Sequence, residues 1–338
     1  MLSMQTLITE IEIADIDVLR SGTVYLLTGH GGEKLVVKVE SGNVFSPTLK
    51  HNRLAMRAVD TKGGNVKGLK PSEVTALQEW TDLMKRLTSD FADNRINDFA
   101  SGGAAKDLAD CLKAFSGNLW YKMPAADLTG ADKLLEARLG AGSNGPEKGI
   151  MKRFADGLNA DGGLEQLGRI VAADMYISNQ DRFSPVAGSK KEFGGKQLKF
   201  KTLTNPGNLF FVGAKTQQRI GVSGHDFIDP NSGYKDYSNT LGDVKDAYGQ
   251  EWLGHHICSK SKRKKFAGHI VDDLETVLTP NRKSYSPFRK LDRNAASRIE
   301  KGMLDGMRLI VAAIDSKYAR GPMPTGVKER RDLMNSAR

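Results

Sequence analysis

The chain has 338 residues and a mass of 36.9 kDa, with 39% hydrophobic residues, 27% charged residues and a mean hydropathy of −0.42. This composition excludes a fibrous, collagen-like or wholly disordered protein, and the length accommodates two modest domains or one two-lobed one. No apolar run reaches the roughly 18 residues that a membrane-spanning helix requires. Met1–Glu10 places no positive region ahead of an apolar stretch, so no cleavable signal peptide is expected.

The net charge of +10 is unevenly distributed. Residues 259–338 carry 19 Lys/Arg against 9 Asp/Glu, whereas residues 1–258 carry 31 of each. The basic excess is therefore C-terminal, and any long-range attraction to an acidic partner is expected there. Two cysteines, Cys111 and Cys258, supply neither a disulfide framework nor a four-thiolate metal site and suit a reducing compartment.

In chain order, Ser21–Leu27 and Leu35–Val39 are apolar, β-branched runs around Gly29-His30-Gly31-Gly32, which predicts a β-hairpin. Pro71-Ser72-Glu73 reads as a helix start with Ser72 as N-cap, since Val74, Leu77, Trp80, Leu83, Met84 and Leu87 follow at helical spacing. Asn118–Pro124 is a short apolar strand stopped by proline, and Asp132–Leu139 is expected to be helical. Leu164, Leu167, Ile170, Val171 and Met175 mark a further helix reaching Tyr176-Ile177. Ser184–Thr204, lysine-rich and glycine-containing, reads as a surface excursion. Leu209–Val212 and Arg219–Val222 form a second predicted hairpin. Beyond about residue 235 the pattern is helical, with a frayed tail expected from Gly321.

Several polar residues sit at the ends of these elements in a suggestive order. Lys38 lies within the apolar strand Val36-Val37-Lys38, where an ammonium calls for a carboxylate or a bound anion. Glu73, with Glu79 as its competitor, is the candidate carboxylate. Asp181 follows a long apolar helix in Ser178-Asn179-Gln180-Asp181-Arg182-Phe183, Asn208 precedes one strand and Asp226 follows the next. Lys, Glu, Asp, Asn and Asp in this order suit phosphoryl transfer. The lysine holds nucleotide phosphates, the glutamate fixes the lysine, one Asp serves the acceptor hydroxyl, and Asn with the second Asp holds Mg²⁺. Oxygen donors without a Cys/His cluster favour Mg²⁺ over zinc.

On these residues the chain resembles the protein-kinase-like superfamily, in its atypical branch of phosphatidylinositol kinases, HipA-like toxin kinases and bacterial effector kinases. Val36-Val37-Lys38 is similar to the kinase strand-lysine motif, and Asp181-Arg182-Phe183 to the Asp-Arg-His catalytic loop of the lipid-kinase branch. Asn205-Pro206-Gly207-Asn208-Leu209 resembles the Asn-bearing segment after that loop, and His225-Asp226-Phe227 the Asp-Phe-Gly metal motif. The resemblance implies that Asn118–Leu128 is the strand and hinge receiving adenine, with Tyr121 and Met123 as cofactor-binding residues. It also implies ATP and Mg²⁺ as cofactors.

Three departures accompany it. No G-x-G-x-x-G is present, and only Ser21-Gly22-Thr23 can approach phosphates through backbone N–H groups. The metal motif reads Asp-Phe-Ile. The catalytic Asp and metal Asn, about five residues apart in the family, are here separated by 26 residues, so that Asn179 and Asn205 compete with Asn208 as the ligand.

The expected fold is α+β and bilobal, protein-kinase-like, with a small strand-rich N-lobe and a larger, mostly helical C-lobe. Residues 1–128 would form the N-lobe with hinge, 129–258 the catalytic core and 259–338 a basic helical extension. The expected activity is ATP- and Mg-dependent transfer to a hydroxyl, with a protein acceptor first and a phosphoinositide second. Alternatives are AMP transfer and a non-catalytic pseudokinase or adaptor working through its basic C-terminal region. Lys260–Lys265, by default a solvated loop, is the candidate surface for an acidic partner or anionic membrane; nucleic acid is not favoured, since no interleaved aromatics accompany it. His255-His256 with Cys258 lacks a fourth ligand and reads as a helix-surface pair. The expected location is the cytoplasm, or, as a bacterial effector secreted without a cleavable signal, a host cytosol.

Overall fold

The computed structural model describes residues 13–20, 24–29, 31, 34–43, 54–59, 66–68, 72–73, 118–124, 128–140, 147–177, 179, 182–212, 220–222, 256–279 and 291–337. The fold is mixed α+β. Two compact units divide the chain, the first comprising Met1–Ser46 and Lys70–Ala126, the second Pro47–Leu69 and Asp127–Arg338.

Runs of Val, Leu and Ile build the sheet of the first unit. Its strands are β1 (Ile13–Arg20), β2 (Val24–Gly29), β3 (Lys34–Asn43), β5 (Ser72–Glu73) and β6 (Asn118–Pro124), in the order β1-β2-β3-β6-β5 and antiparallel throughout. β2 and β3 are the expected first hairpin. Ser72–Glu73 departs from expectation: it is not a helix start but a short edge strand, with Ser72 opposite Lys122 and Glu73 opposite Tyr121. Pairing to β6 satisfies its backbone, and tertiary context of this kind overrides a capping signal. The helix expected over 74–87 lies outside the described residues.

The second unit holds a four-stranded sheet, β4 (Val66–Gly68), β11 (Ile220–Val222), β10 (Leu209–Val212) and β7 (Leu128–Gly130), in the order β4-β11-β10-β7. β10 and β11 are the second expected hairpin. β4 comes from the segment 47–69, which joins this unit by pairing in parallel with β11. Residues 54–59 of the same segment are helical and bury Ala55, Met56 and Val59, and the Val59 carbonyl accepts a hydrogen bond from Gln166 Nε2 at 2.9 Å.

The helices of this unit are α1 (Ala131–Gly140), α2 (Glu147–Asn159), α3 (Gly163–Tyr176), α4 (Lys260–Leu278), α5 (Ala295–Lys317) and α6 (Thr325–Ser336). Its core is centred on α3 and α5, which meet backbone to backbone. A Cβ on Gly168 of α3 would strike the Ile299 carbonyl oxygen, and one on Gly302 of α5 would strike that of Glu165. A Cβ on Gly306 would come within 2.8 Å of Ala172 Cβ. Glycine at these positions is required by space. Leu164, Leu167, Ile170 and Val171 of α3, with Ile299, Met303, Met307 and Ile310 of α5, are buried around this contact.

Arg298 fixes the ends of the same helices. Its guanidinium grips Glu165 in the first turn of α3 through two bonds of 2.9 and 2.8 Å. It also donates to the carbonyls of Asn159 and Ala160 at the end of α2, at 3.0 and 2.9 Å. One planar fork thereby satisfies orphan carbonyls of one helix and holds a carboxylate at the positive end of another.

Two C-terminal expectations are corrected. The tail is not frayed: α6 buries Val327, Arg330 and Met334 on one face, and Arg331 pairs with Asp315 of α5 at 2.9 Å. Lys260–Lys265 is not a loop but the first turns of α4, where Arg263 is buried and donates to the Ile257 carbonyl at 2.8 Å, leaving Lys260, Lys262, Lys264 and Lys265 exposed.

Gly302→Ala is expected to destabilise the protein by about 1–3 kcal/mol in urea unfolding, because the added methyl meets backbone. Gly268→Ala on α4, where no described residue lies within 4 Å of the new Cβ, should stabilise it by about 0.5–1 kcal/mol. Burial pushes the Glu165 carboxyl up, but the Arg298 hydrogen bonds and charge outweigh it and hold the group below its ordinary value of 4.5. A depressed carboxyl contributes stability that is complete above its unfolded pKa and lost as pH falls through the folded one. The difference in melting temperature between the native chain and Glu165→Gln should accordingly be full at pH 6 and shrink steadily below about pH 4.5.

Candidate functional site

In the first unit, sheet register gathers the residues expected to hold a nucleotide. Lys38 on β3 is opposite Tyr121 on β6, and Tyr121 is also opposite Glu73 on β5. Residues directly opposite share a face and the side-chain period along a strand is two. Lys38, Tyr121 and Glu73 thus form one transverse row, and Met123, opposite Val36, lies on the same face one step along β6. Lys38 and Glu73 flank Tyr121 on either side. Ser21, Gly22 and Thr23, between β1 and β2, lie outside the described residues.

In the second unit, α3 ends at Tyr176, and the segment after it is held by a carboxylate inside the helix. Asp174, fully buried, accepts from Asn179 Nδ2 at 3.0 Å and from Arg182 Nη1 at 2.7 Å, while the Asn179 N–H donates to the Asp174 carbonyl at 2.8 Å. One side chain therefore ties both ends of the stretch from Asn179 to Arg182. Arg182 is itself wholly buried, and its Nε and Nη2 have no hydrogen-bond partner among the described residues. Two charges withdrawn from water in this way constrain geometry more than they add net stability. Asp181, between the two clamped residues in the sequence, lies outside the described residues, as does Asp226.

The backbone brings together the chain on either side of the 184–204 excursion. Phe183 and Leu203 form an antiparallel bridge, Ser184 N–H donates to the Thr202 carbonyl at 2.8 Å, and Thr204 N–H donates to the Arg182 carbonyl at 3.1 Å. The intervening chain leaves and returns at one point. Across that closed base, only Thr204, Asn205, Pro206 and Gly207 separate Arg182 from Asn208. The expected surface excursion is a hairpin, β8 (Lys190–Phe193) with β9 (Lys196–Lys199). Gly194 and Gly195 form its turn with φ of 54° and 72°, the left-handed pair that a tight two-residue turn demands.

Asp273 of α4 anchors the returning strand. Its buried carboxylate accepts from the backbone N–H of Lys201, Thr202 and Leu203 at 2.6, 2.6 and 2.8 Å and from the Thr202 hydroxyl at 2.7 Å. Lys201 Nζ pairs with the adjacent Asp272 at 2.5 Å. Neither Asp174 nor Asp273 was singled out by motif. The available signal was a carboxylate embedded in an apolar helical run, Ile170–Met175 in one case and Ile270–Leu274 in the other, which requires a partner.

The three rival asparagines now have different surroundings. Asn179 is bonded to Asp174, and Asn205 caps the 3₁₀ helix Pro206–Asn208 by accepting from Gly207 N–H at 3.1 Å. Asn208, buried, stands where that helix passes into β10. Among the described residues no cluster of three His, Cys, Asp or Glu could hold a metal, and no helix is long and apolar enough to cross a membrane. Burial pushes the Cys258 thiol up to about 12, so it stays protonated; His255 lies outside the described residues.

Asp174→Asn should cost about 3–5 kcal/mol in urea unfolding, since it leaves the Arg182 charge buried without its counter-ion. Replacing both, Asp174→Leu with Arg182→Met, should cost less than Asp174→Asn alone, which a double-mutant comparison measures directly.

Compared with known proteins, the chain matches no family model, no curated protein and no solved structure.

Proposed function

We propose that the chain is an ATP- and Mg-dependent phosphotransferase of protein-kinase-like type, acting on a hydroxyl of a protein acceptor. The observation carrying this reading is the closed base of the 184–204 excursion, where Thr204 N–H meets the Arg182 carbonyl at 3.1 Å. It supports the reading, because Arg182, which follows Asp181 in the sequence, and the segment bearing Asn208 are near neighbours across the bridge. The placement of Lys38, Tyr121, Glu73 and Met123 on one face of the first unit's sheet supports it as well. Lysine, tyrosine and methionine at these register positions are residue types that suit the phosphate and base of a nucleotide.

Bound Mg-ATP supplies the electrophilic phosphorus. Lys38 would bind nucleotide phosphate, and Glu73 would orient Lys38. Asp181 would accept the proton of the acceptor hydroxyl, and Asp174 clamps Asn179 and Arg182 on either side of it in the sequence. Asn208 and Asp226 supply oxygen donors of the kind Mg²⁺ prefers.

Asp181→Ala and Asp226→Ala should each lower ATP-dependent transfer by at least about a hundredfold, with circular dichroism and unfolding midpoint unchanged. Incubating the protein with labelled ATP and a cell lysate, and resolving protein from lipid products, reads the acceptor. Full transfer in both variants rejects the proposal. Label carried from the α- rather than the γ-phosphate identifies AMP transfer instead, and no thermal shift with Mg-ATP identifies a non-catalytic adaptor.

A further inference from the structure

The 184–204 excursion contains five lysines and one acidic residue, within a 258-residue stretch whose charges as a whole sum to zero. Lys190, Lys191 and Lys199 are exposed, and Lys190 stands directly opposite Lys199 in the hairpin register. Like charges in direct register destabilise a two-stranded ribbon. Glu192, the hairpin's own acid, is directly opposite Gln197 and diagonal to Lys199 on the same face, one negative charge beside two positive ones. The same excursion carries Val186, the one exposed large hydrophobic among the described residues, at 53%. Its turn is shaped by Ser184 Oγ, which accepts from the Val186 and Ala187 N–H groups at 3.3 Å each.

These exposed groups stand on a fixed support. Phe193 and Leu198 are buried beneath the ribbon, Ser189 Oγ donates to the Leu203 carbonyl at 2.7 Å, and Asp273 secures the base. A charged, partly apolar surface on a rigid support, rooted two residues from Asp181, has the properties of a recognition element.

We infer that the β8–β9 hairpin docks an acidic polypeptide segment of the acceptor, through Lys190, Lys191 and Lys199, with Val186 as an apolar contact. The inference rests on the phosphotransfer reading and gives its substrate class: a protein hydroxyl near a run of Asp or Glu. A polypeptide fits better than a bilayer. Lys190 and Lys199 lie on one face of the ribbon and Lys191 on the other, so a single plane cannot engage all three. One valine also offers little area to insert into lipid.

The test measures binding without nucleotide. Full-length protein is titrated into a fluorescent peptide containing one serine among glutamates, and into a neutral peptide in which glutamine replaces glutamate. The acidic peptide should bind at least about tenfold more tightly at low salt, with the advantage falling as salt rises. Lys190→Glu with Lys199→Glu keeps a like-charge pair in the ribbon, and should remove that advantage. Lys262→Glu with Lys264→Glu, exposed on α4, should change it less than threefold. In the transfer assay, the hairpin reversal should raise KM for the acidic peptide about tenfold and leave kcat unchanged. Equal losses from the two reversals, or undiminished binding in the hairpin variant, overturn the inference. So does tighter binding to phosphatidylserine vesicles through the same lysines. Lysine-dependent peptide binding in a chain that transfers no phosphate upholds docking and rejects the phosphotransfer reading.

Discussion

The backbone contact between α3 and α5 determines where everything else in the second unit can be. Two helices approach this closely only where side chains are missing, and Gly168, Gly302 and Gly306 provide the gap. The close approach fixes rotation as well as distance, because any other face would bring a Cβ into a carbonyl. Arg298 then sets the longitudinal position by gripping Glu165 and the end of α2. With α3 held in rotation and in register, the carboxylate of Asp174 near its C-terminus has a defined place, and the segment from Asn179 to Arg182 is tied to it. A bulkier residue at Gly302 would act at a distance of several turns, by shifting the helix that carries the clamp.

Much of the element pattern was legible in sequence because it is dictated locally. Val and Leu runs around glycines became β2–β3 and β10–β11, and the period of Leu164, Leu167, Ile170 and Val171 became α3. What was not legible depended on pairing between distant residues. Ser72–Glu73 carries the local signature of a helix N-terminus, yet its backbone is taken up by β6, some fifty residues later. Segment 47–69 offers no strong periodicity, and it belongs to the second unit because β4 finds β11 and Val59 finds Gln166. The tail from Gly321 reads as polar and terminal, yet it packs against α5 with Val327 and Met334 buried.

The candidate site divides in the same way. Residue order alone pointed to Lys38, Glu73, Asp181, Asn208 and Asp226, whereas the row of Lys38, Tyr121 and Glu73 needed strand register, and the approach of Arg182 to Thr204 needed the bridge. Two buried carboxylates, Asp174 and Asp273, do most of the positioning in the second unit and have no motif to announce them. The basic character likewise had to be sorted residue by residue. Arg263 and Arg330 count toward the net charge but are buried, so neither contributes a surface for binding. Among the exposed lysines, one group lies at the start of α4 and another on the β8–β9 hairpin.

The closed base of that hairpin has a consequence for how such a protein can diversify. Because Phe183 and Leu203 are bridged and Asp273 seals the returning strand, the ribbon beyond them is a module grafted onto an otherwise continuous path. Loop-closure cost rises only slowly with length, so residues between Ser189 and Phe200 can be lengthened, shortened or recharged with little strain at the junction. Selection acting on the ribbon can therefore alter which molecules the protein engages while the geometry beneath it stays constant.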